Sequence, residues 1–361
     1  MKITEITKAA TGAVLFGTLW AGTAWGQVEP PSPLPLTPLI QEEFDNGYVS
    51  VVAADEESKS PSDTARSEVV AGTVGSGSCC SNPYEHCDAC SSCYDGRFRS
   101  DREFDSFIEP ISNPIWAMDP RSMTRARFVF LNQMIPAKSV IGKGDLQVYA
   151  LQLSVALNER WSIIASKDGY NTLQAAGIPN DQGWADAAAG LKYVLYRDPC
   201  EQFIVSTGFQ YELTQGTQGV FQGNGDGMWH PFLTAGKQWG CYHAIGVVGW
   251  HIPNNGNKES ESIYYSLHLD RQLTDRWYAV FEFNGINYTD SGRALAVNQE
   301  GGDWFNLGSA NVTGNDFATL AVGATVKLTD DLTATAAYEF PVMGRRDLFD
   351  NRFYIQMSLT Y

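Results

Sequence analysis

Positive charge is scarce in this chain. Its 361 residues carry 25 Lys and Arg against 41 Asp and Glu, a formal charge of -16. A nucleic-acid binder needs a basic footprint, so nucleic acid is excluded as a partner. Long apolar runs are scarce too. After the first two dozen residues none is long enough to cross a bilayer as a helix. Histidine is limited to His86, His230, His243, His251 and His268. No Gly-x-Ser-x-Gly elbow occurs, and no serine partner is evident beside His243 or His251, so an enzyme is not expected. No Cys-x-x-Cys-His occurs, so covalent haem is not indicated, and no cofactor is expected.

Glycine and aromatics are abundant, 34 glycines and 12% Phe, Trp and Tyr, a balance that leans towards strands and turns. The N-terminus reads as a signal peptide over residues 1–26. Lys2 and Lys8 precede an apolar stretch at 9–24, and Ala24-Trp25-Gly26 forms a small-x-small cleavage site. A membrane anchor is the competing reading. No cysteine follows the site, which speaks against a lipoprotein.

Residues 27–103 show little periodicity. PPSPLPLTP at 30–38 is extended, and 42–68 is acidic with too little apolar content for a core. This stretch is expected to be a flexible, disordered periplasmic arm; a small ordered plug is the alternative. Within it lie Cys79, Cys80, Cys87, Cys90 and Cys93. In an exported chain, disulfides are favoured over a metal site using His86 or cross-links to other envelope proteins. Five thiols cannot all pair among themselves. One remains free, joins Cys200 or Cys241, or bridges to another chain; a Cys200–Cys241 bridge between neighbouring short turns is a further candidate.

From about Met123 the text becomes alternating. Tyr149, Leu151, Leu153, Val155 and Leu157 share one face, Gln152 and Ser154 the other. Period-two segments recur at 123–134, 145–157, 160–168, 184–196, 202–213, 229–239, 241–251, 262–273, 277–288, 316–328, 332–342 and 351–361. That is twelve strands; ten or fourteen remain open because Pro231 and Lys237 blur the sixth. Leu157-Asn-Glu-Arg-Trp161, Leu273-Thr-Asp-Arg-Trp277 and Leu328-Thr-Asp-Asp-Leu332 are three copies of one short turn, and they alternate with longer connections at 170–183, 214–228, 252–260 and 289–315. Tight turns at one end and long loops at the other predict an all-β, antiparallel, up-and-down transmembrane barrel. Its polar face carries Arg125, Arg127, Asp186, Lys192, Glu212, His268, Asp270, Glu282, Lys327 and Glu339. So many charges predict a wetted interior, or a polar network wetted from both ends. Between the last two strands, Arg345, Arg346, Asp347 and Asp350, with Arg352, form either a charge network in the barrel mouth or a solvated loop with local ion pairs.

The final strand, RFYIQMSLTY, places Phe353, Ile355, Met357, Leu359 and Tyr361 on one face. It resembles the closing strand of bacterial outer-membrane β-barrels, with Tyr in place of the commoner terminal Phe. The resemblance implies that these five residues are an assembly signal read by the barrel-assembly machinery, and it implies residence in outer-membrane lipid. SNPIWAMDPRSMTRARFVFLNQMIP (112–136) and YEFPVMGRRDLFDNRF (338–353) resemble a family of planctomycete outer-membrane barrels, over residues 104–361. The expected function is a narrow porin or passive channel for small polar solutes. The alternative is a structural or anchoring protein cross-linked through its cysteine-rich arm.

Overall fold

The computed structural model describes residues 97–361. The signal-peptide segment, the Pro-rich stretch and the Cys79–Cys93 cluster with His86 lie outside the described residues.

Fourteen strands form one antiparallel sheet. They are β1 (Arg125–Ile135), β2 (Gly144–Ala156), β3 (Trp161–Lys167), β4 (Tyr170–Ala175), β5 (Asp181–Trp184), β6 (Ala187–Asp198), β7 (Phe203–Leu213), β8 (Met228–Trp239), β9 (Tyr242–Pro253), β10 (Glu261–Gln272), β11 (Trp277–Asp290), β12 (Asp316–Lys327), β13 (Leu332–Pro341) and β14 (Asn351–Thr360). β2 pairs with β3 near one rim and with β4 near the other. β3 and β5 in turn border β6 and β4. β3 with β4, and β5 with β6, are therefore two broken staves, and the wall has twelve. Pairing of β1 with both β2 and β14 closes the ring, with Arg125 opposite Thr360 and Met134 opposite Asn351. Closure removes the open edges of the sheet's ends, as hydrocarbon demands; at the broken staves β5 borders Thr217 of a connection instead of a second strand.

The third and fourth staves differ from the expected strands. Residues 170–183, expected to be a loop, form the β4–β5 hairpin. Asp168 and Gly169 interrupt the alternation there, and Gly169 takes φ +116 where a Cβ would lie 2.7 Å from the Tyr149 carbonyl oxygen. The break is a kink that continues as strand, not an end. Pro231 behaves as its missing N–H requires: β8 stays continuous, but its ladder to β9 skips from Trp229 to Phe232.

The three repeated turns share one local mechanism. The N–H groups of Leu157, Leu273 and Leu328 donate to the carbonyls of Trp161, Trp277 and Leu332 at 2.7–2.8 Å. The side chains of Asn158, Thr274 and Thr329 accept from the last backbone N–H of each turn at 2.8–3.1 Å. All three lie on one rim with the turns at 199–202 and 240–241; the longer connections occupy the other rim.

The two faces of the wall are inverted relative to a soluble barrel. Leu151, Leu233, Phe281, Val322 and Ile355 point outward and are 41–52% exposed, whereas Gln210, His243, Glu282, Thr325 and Gln356 point inward and are at most 1% exposed. An apolar exterior around a polar interior is a transmembrane barrel. The apolar core is also inside. Val129, Leu131, Leu146, Val148 and Leu173 of the wall join Phe104, Phe107, Ile111, Ile115 and Trp116, which belong to no strand.

Candidate functional site: a lumen filled from both rims

Residues 100–124 occupy the lumen. Ser100 starts at the tight-turn rim, its N–H and hydroxyl donating to the Tyr361 carbonyl at 3.0 and 2.7 Å. Arg197 at the end of β6 clamps Asp101 at 2.7 Å and Glu103 at 2.5 Å. The Lys327 ammonium donates to the Asp105 carbonyl at 2.7 Å. The chain then climbs, with Ser106 donating to Gln238 and Phe107 packing on His243.

It reverses at Asn113, whose φ of +52 supplies the left-handed position that a tight reversal needs. The Glu282 carboxylate receives this tip. It accepts from Ile111 N–H at 2.9 Å, from Ser112 N–H at 2.6 Å and from the Ser112 hydroxyl. Asn113 also donates to Ser266 and, through its N–H, to the Tyr354 hydroxyl. Arg127 donates to the Pro110 and Pro114 carbonyls, and Trp116 lies tilted 3.7 Å from His251 and stacks 5.0 Å from Tyr264, centroid to centroid.

On the way back Thr234, Ser206 and Lys192 donate to the carbonyls of Met118, Pro120, Asp119 and Arg121 at 2.5–2.6 Å. Asp119 pairs with Arg121 and Arg125, and Glu109 with Arg125 at 2.6 Å. The plug's backbone, which has no sheet of its own, is thus paired by polar side chains of the wall.

Behind Glu282 runs a buried chain of titratable groups. His268 Nδ1 lies 2.6 Å from Glu282, its Nε2 3.1 Å from Asp270, and Asp270 lies 2.6 Å from His243 Nδ1. A second cluster joins Lys167 to Glu212 at 2.5 Å, with His230 at 3.2 Å. His251 Nδ1 does have a serine neighbour, the Ser262 hydroxyl at 2.8 Å, contrary to expectation. Cross-strand register, which linear spacing hides, brings them together. Among the described residues no carboxylate hydrogen-bonds to the other ring nitrogen, which is where the orienting third group of a nucleophilic triad would stand.

The long-loop rim is closed by the connection between β11 and β12. Trp304, Phe305, Leu307 and Val312 are buried. Asp303 pairs with Arg352 at 2.6 Å, and Gln222 donates to the Trp304 carbonyl. Glu300 accepts from Leu307 N–H, Ser309 N–H and the Ser260 hydroxyl, and burial pushes its carboxyl above the usual range. Glu259, in the connection between β9 and β10, is pushed up to about 8 by burial and by Glu212.

The residues expected on the polar face are distributed over these layers. Arg125, Arg127, Lys192, Glu282 and Lys327 hold the plug, and His268 and Asp270 stand behind Glu282. Glu212 pairs with Lys167. Asp186 accepts from Gly216 and Gly223 N–H near the long-loop rim. Glu339 accepts from Thr319 and from Tyr354 at 2.5 Å, and it neighbours Arg352. Five of them, Arg125, Arg127, Lys192, Glu282 and Lys327, meet the plug, and the others join polar pairs with the wall or the outer connections. Between the last two strands both readings hold in part. Arg345 pairs with Asp347, which accepts from Glu300 N–H, while Arg346 and Asp350 form an exposed local pair. Phe353, Ile355, Met357, Leu359 and Tyr361 face outward. Cys200 and Cys241 sit in tight turns on the same rim, and both are engaged. Sequence reading missed the plug's tip; its signal is the run of apolar residues from Phe104 to Trp116, which no strand claims.

No protein-family model and no curated protein sequence matches the chain. Among solved structures, the chain is similar to an outer-membrane channel from Pseudomonas putida. That match has 10% identity and TM-score 0.48, over 71% of this chain and all of that one. It is similar to the NanC porin at 12% identity and TM-score 0.43, over 66% of this chain and all of that one. It is also similar to the transport unit of the Escherichia coli autotransporter AIDA-I, at 11% identity and TM-score 0.42, over 69% and 94%. These likenesses concern the barrel fold alone.

Proposed function

We propose that the chain is a bacterial outer-membrane channel for small polar solutes, held shut by its own plug and outer loop. One observation carries this reading. The wall presents charged and hydrogen-bonding side chains to the lumen along its length, and many of them are satisfied by two segments that are not wall. A barrel needing only stability gains little from buried ion pairs, since well-packed apolar residues of similar volume are commonly as stable or more so. A lining that exchanges plug contacts for water keeps both a shut and an open state accessible. Twelve staves leave a narrow bore, suited to small solutes.

In this reading the signal peptide directs export, the tight-turn rim faces the periplasm, and the outward residues of β14 are read by the assembly machinery. The resemblance of 112–136 and 338–353 to planctomycete barrels fits it. The second reading is an anchor. It is favoured by how firmly the rim clamp of Arg197, Asp101 and Glu103 ties the barrel to the segment that leads to the arm. There, disulfides of the arm's Cys79–Cys93 cluster would join envelope proteins.

Planar-bilayer conductance separates the two. The channel reading expects rare, brief ion steps from the full chain and frequent ones after Glu282→Ala or deletion of 289–315. Silence from all three, with slow-migrating adducts on non-reducing gels of whole envelopes, would replace it with the anchor.

A further inference from the structure

The geometry points to a second site, on the outside of the wall: a lipid-facing cleft that binds an amphipathic molecule from the bilayer through Asp168. The cleft encloses about 490 Å³ and is lined by Phe128, Tyr149, Leu151, Asp168, Trp184 and Gln215, among others. That volume falls within the roughly 300–1,000 Å³ of small-molecule sites. It lies where the third stave breaks between β3 and β4. β2 pairs with β3 only up to Leu153 and with β4 only from Tyr149 outward, so the segment between lacks a full ladder partner. Asp168 fills part of the gap, its Oδ1 accepting from Leu151 N–H at 3.1 Å. No described residue donates to its Oδ2.

A carboxyl on the outer wall among residues that meet hydrocarbon is costly, and such groups mark function by default. Bridging the kink does not explain it. A serine or asparagine would accept the same N–H with no charge. The surroundings name the occupant. Phe128, Tyr149, Leu151 and Trp184 are each 42–66% exposed and suit a hydrocarbon chain. The half-buried Asp168 suits a hydrogen-bond donor at its head, a hydroxyl or an amine. Bulk bilayer chains bring no donor to that depth, so the site selects donor-headed molecules over ordinary acyl chains.

The test uses the full chain in phosphatidylcholine nanodiscs and a long-chain alkanol brominated at its tail, with its methyl ether as the partner that cannot donate. Bromine quenches nearby indole, and the Trp184 contribution is the difference between the native chain and Trp184→Phe. The alkanol should quench Trp184 at about tenfold lower membrane content than the ether, the worth of one hydrogen bond to a charged group. Asp168→Leu should abolish that preference while the heat-dependent gel shift of the folded barrel persists. Equal quenching by alkanol and ether in the native chain overturns the site, and this comparison stands even if Asp168→Leu fails to assemble. Persistence of the preference in a folded Asp168→Leu chain also overturns it.

Discussion

Glu282→Ala isolates the tip of the plug. In the native chain this carboxylate accepts from Ile111 N–H, Ser112 N–H and the Ser112 hydroxyl, and it also partners His268. Truncation leaves two backbone donors buried without an acceptor. Each costs about 1–3 kcal/mol. His268 retains Asp270, so its loss is smaller. Water entering the vacated space recovers part of the penalty, and about 3 kcal/mol is the net expectation for closing the tip. At 1.4 kcal/mol per decade that is about a hundredfold more tip opening. Backbone amide exchange of residues 106–118 in detergent-solubilised protein reads this directly. Exchange there should accelerate about a hundredfold, while the β10–β11 ladder amides stay protected. Glu282→Gln keeps one acceptor oxygen and should give an intermediate acceleration. If Glu282→Ala leaves the exchange of 106–118 within about threefold of native, the carboxylate does not hold the plug, and the gating argument fails with it.

Two further predictions concern the outer loops and the lipid face. Glu259 is held protonated up to about 8, above its ordinary 4.5, and its Oε2 has no hydrogen-bond partner among the described residues. The folded state therefore binds more protons than the open loop, and its stability is greatest below about pH 4.5 and falls as pH rises through about 8. Proteolysis of the connections at 214–227 and 254–260 should accelerate between pH 6 and 9, and Glu259→Gln should flatten that profile; a pH-independent rate in the native chain would contradict the assignment. Ile355 lies mid-strand in β14 and faces outward, so Ile355→Arg should cost about 2–4 kcal/mol in lipid, read as a lower denaturant midpoint in vesicles. The same substitution at a surface in contact with water would cost little.

The barrel was legible because its signals repeat. Period-two alternation, three copies of one turn and an outward apolar stripe on the last strand each report the same architecture. What failed to show was anything set by non-repeating contacts. Residues 104–122 carry no period, so their apolar members, Phe104 to Trp116, had no face to be assigned to. Their partners are lumen carboxylates and hydroxyls drawn from strands far apart in the chain. The charged residues of the wall were visible as an inward set, but whether water or protein meets them depends on the plug. The kink at Asp168–Gly169 looks like a strand end in the sequence because alternation stops there, yet the strand resumes at Tyr170 in β4.

The plug and the outer loop are two closures, and one side chain touches the machinery of both. Tyr354, on β14, accepts from the Asn113 N–H of the plug and from Arg352, and donates to Glu339 at 2.5 Å. Arg352 in turn holds Asp303 of the loop through two contacts, at 2.6 and 2.7 Å. Loosening the plug should therefore loosen the loop, and the coupling should pass through this hydroxyl. Tyr354→Phe removes the hydroxyl and keeps the ring, so packing is preserved. Exchange at both 111–116 and 303–312 should rise together by roughly the worth of one or two hydrogen bonds to charged groups, about 2–4 kcal/mol in all. The decisive quantity is the cycle with Glu282→Gln. Independent closures give free energies that add within about 0.3–0.5 kcal/mol. A coupled pair gives a double variant whose loop exchange is less perturbed than that sum, because the route from plug to loop has already been cut. Additivity at the loop would mean that the two ends of the lumen open separately, each for its own ligand or stimulus.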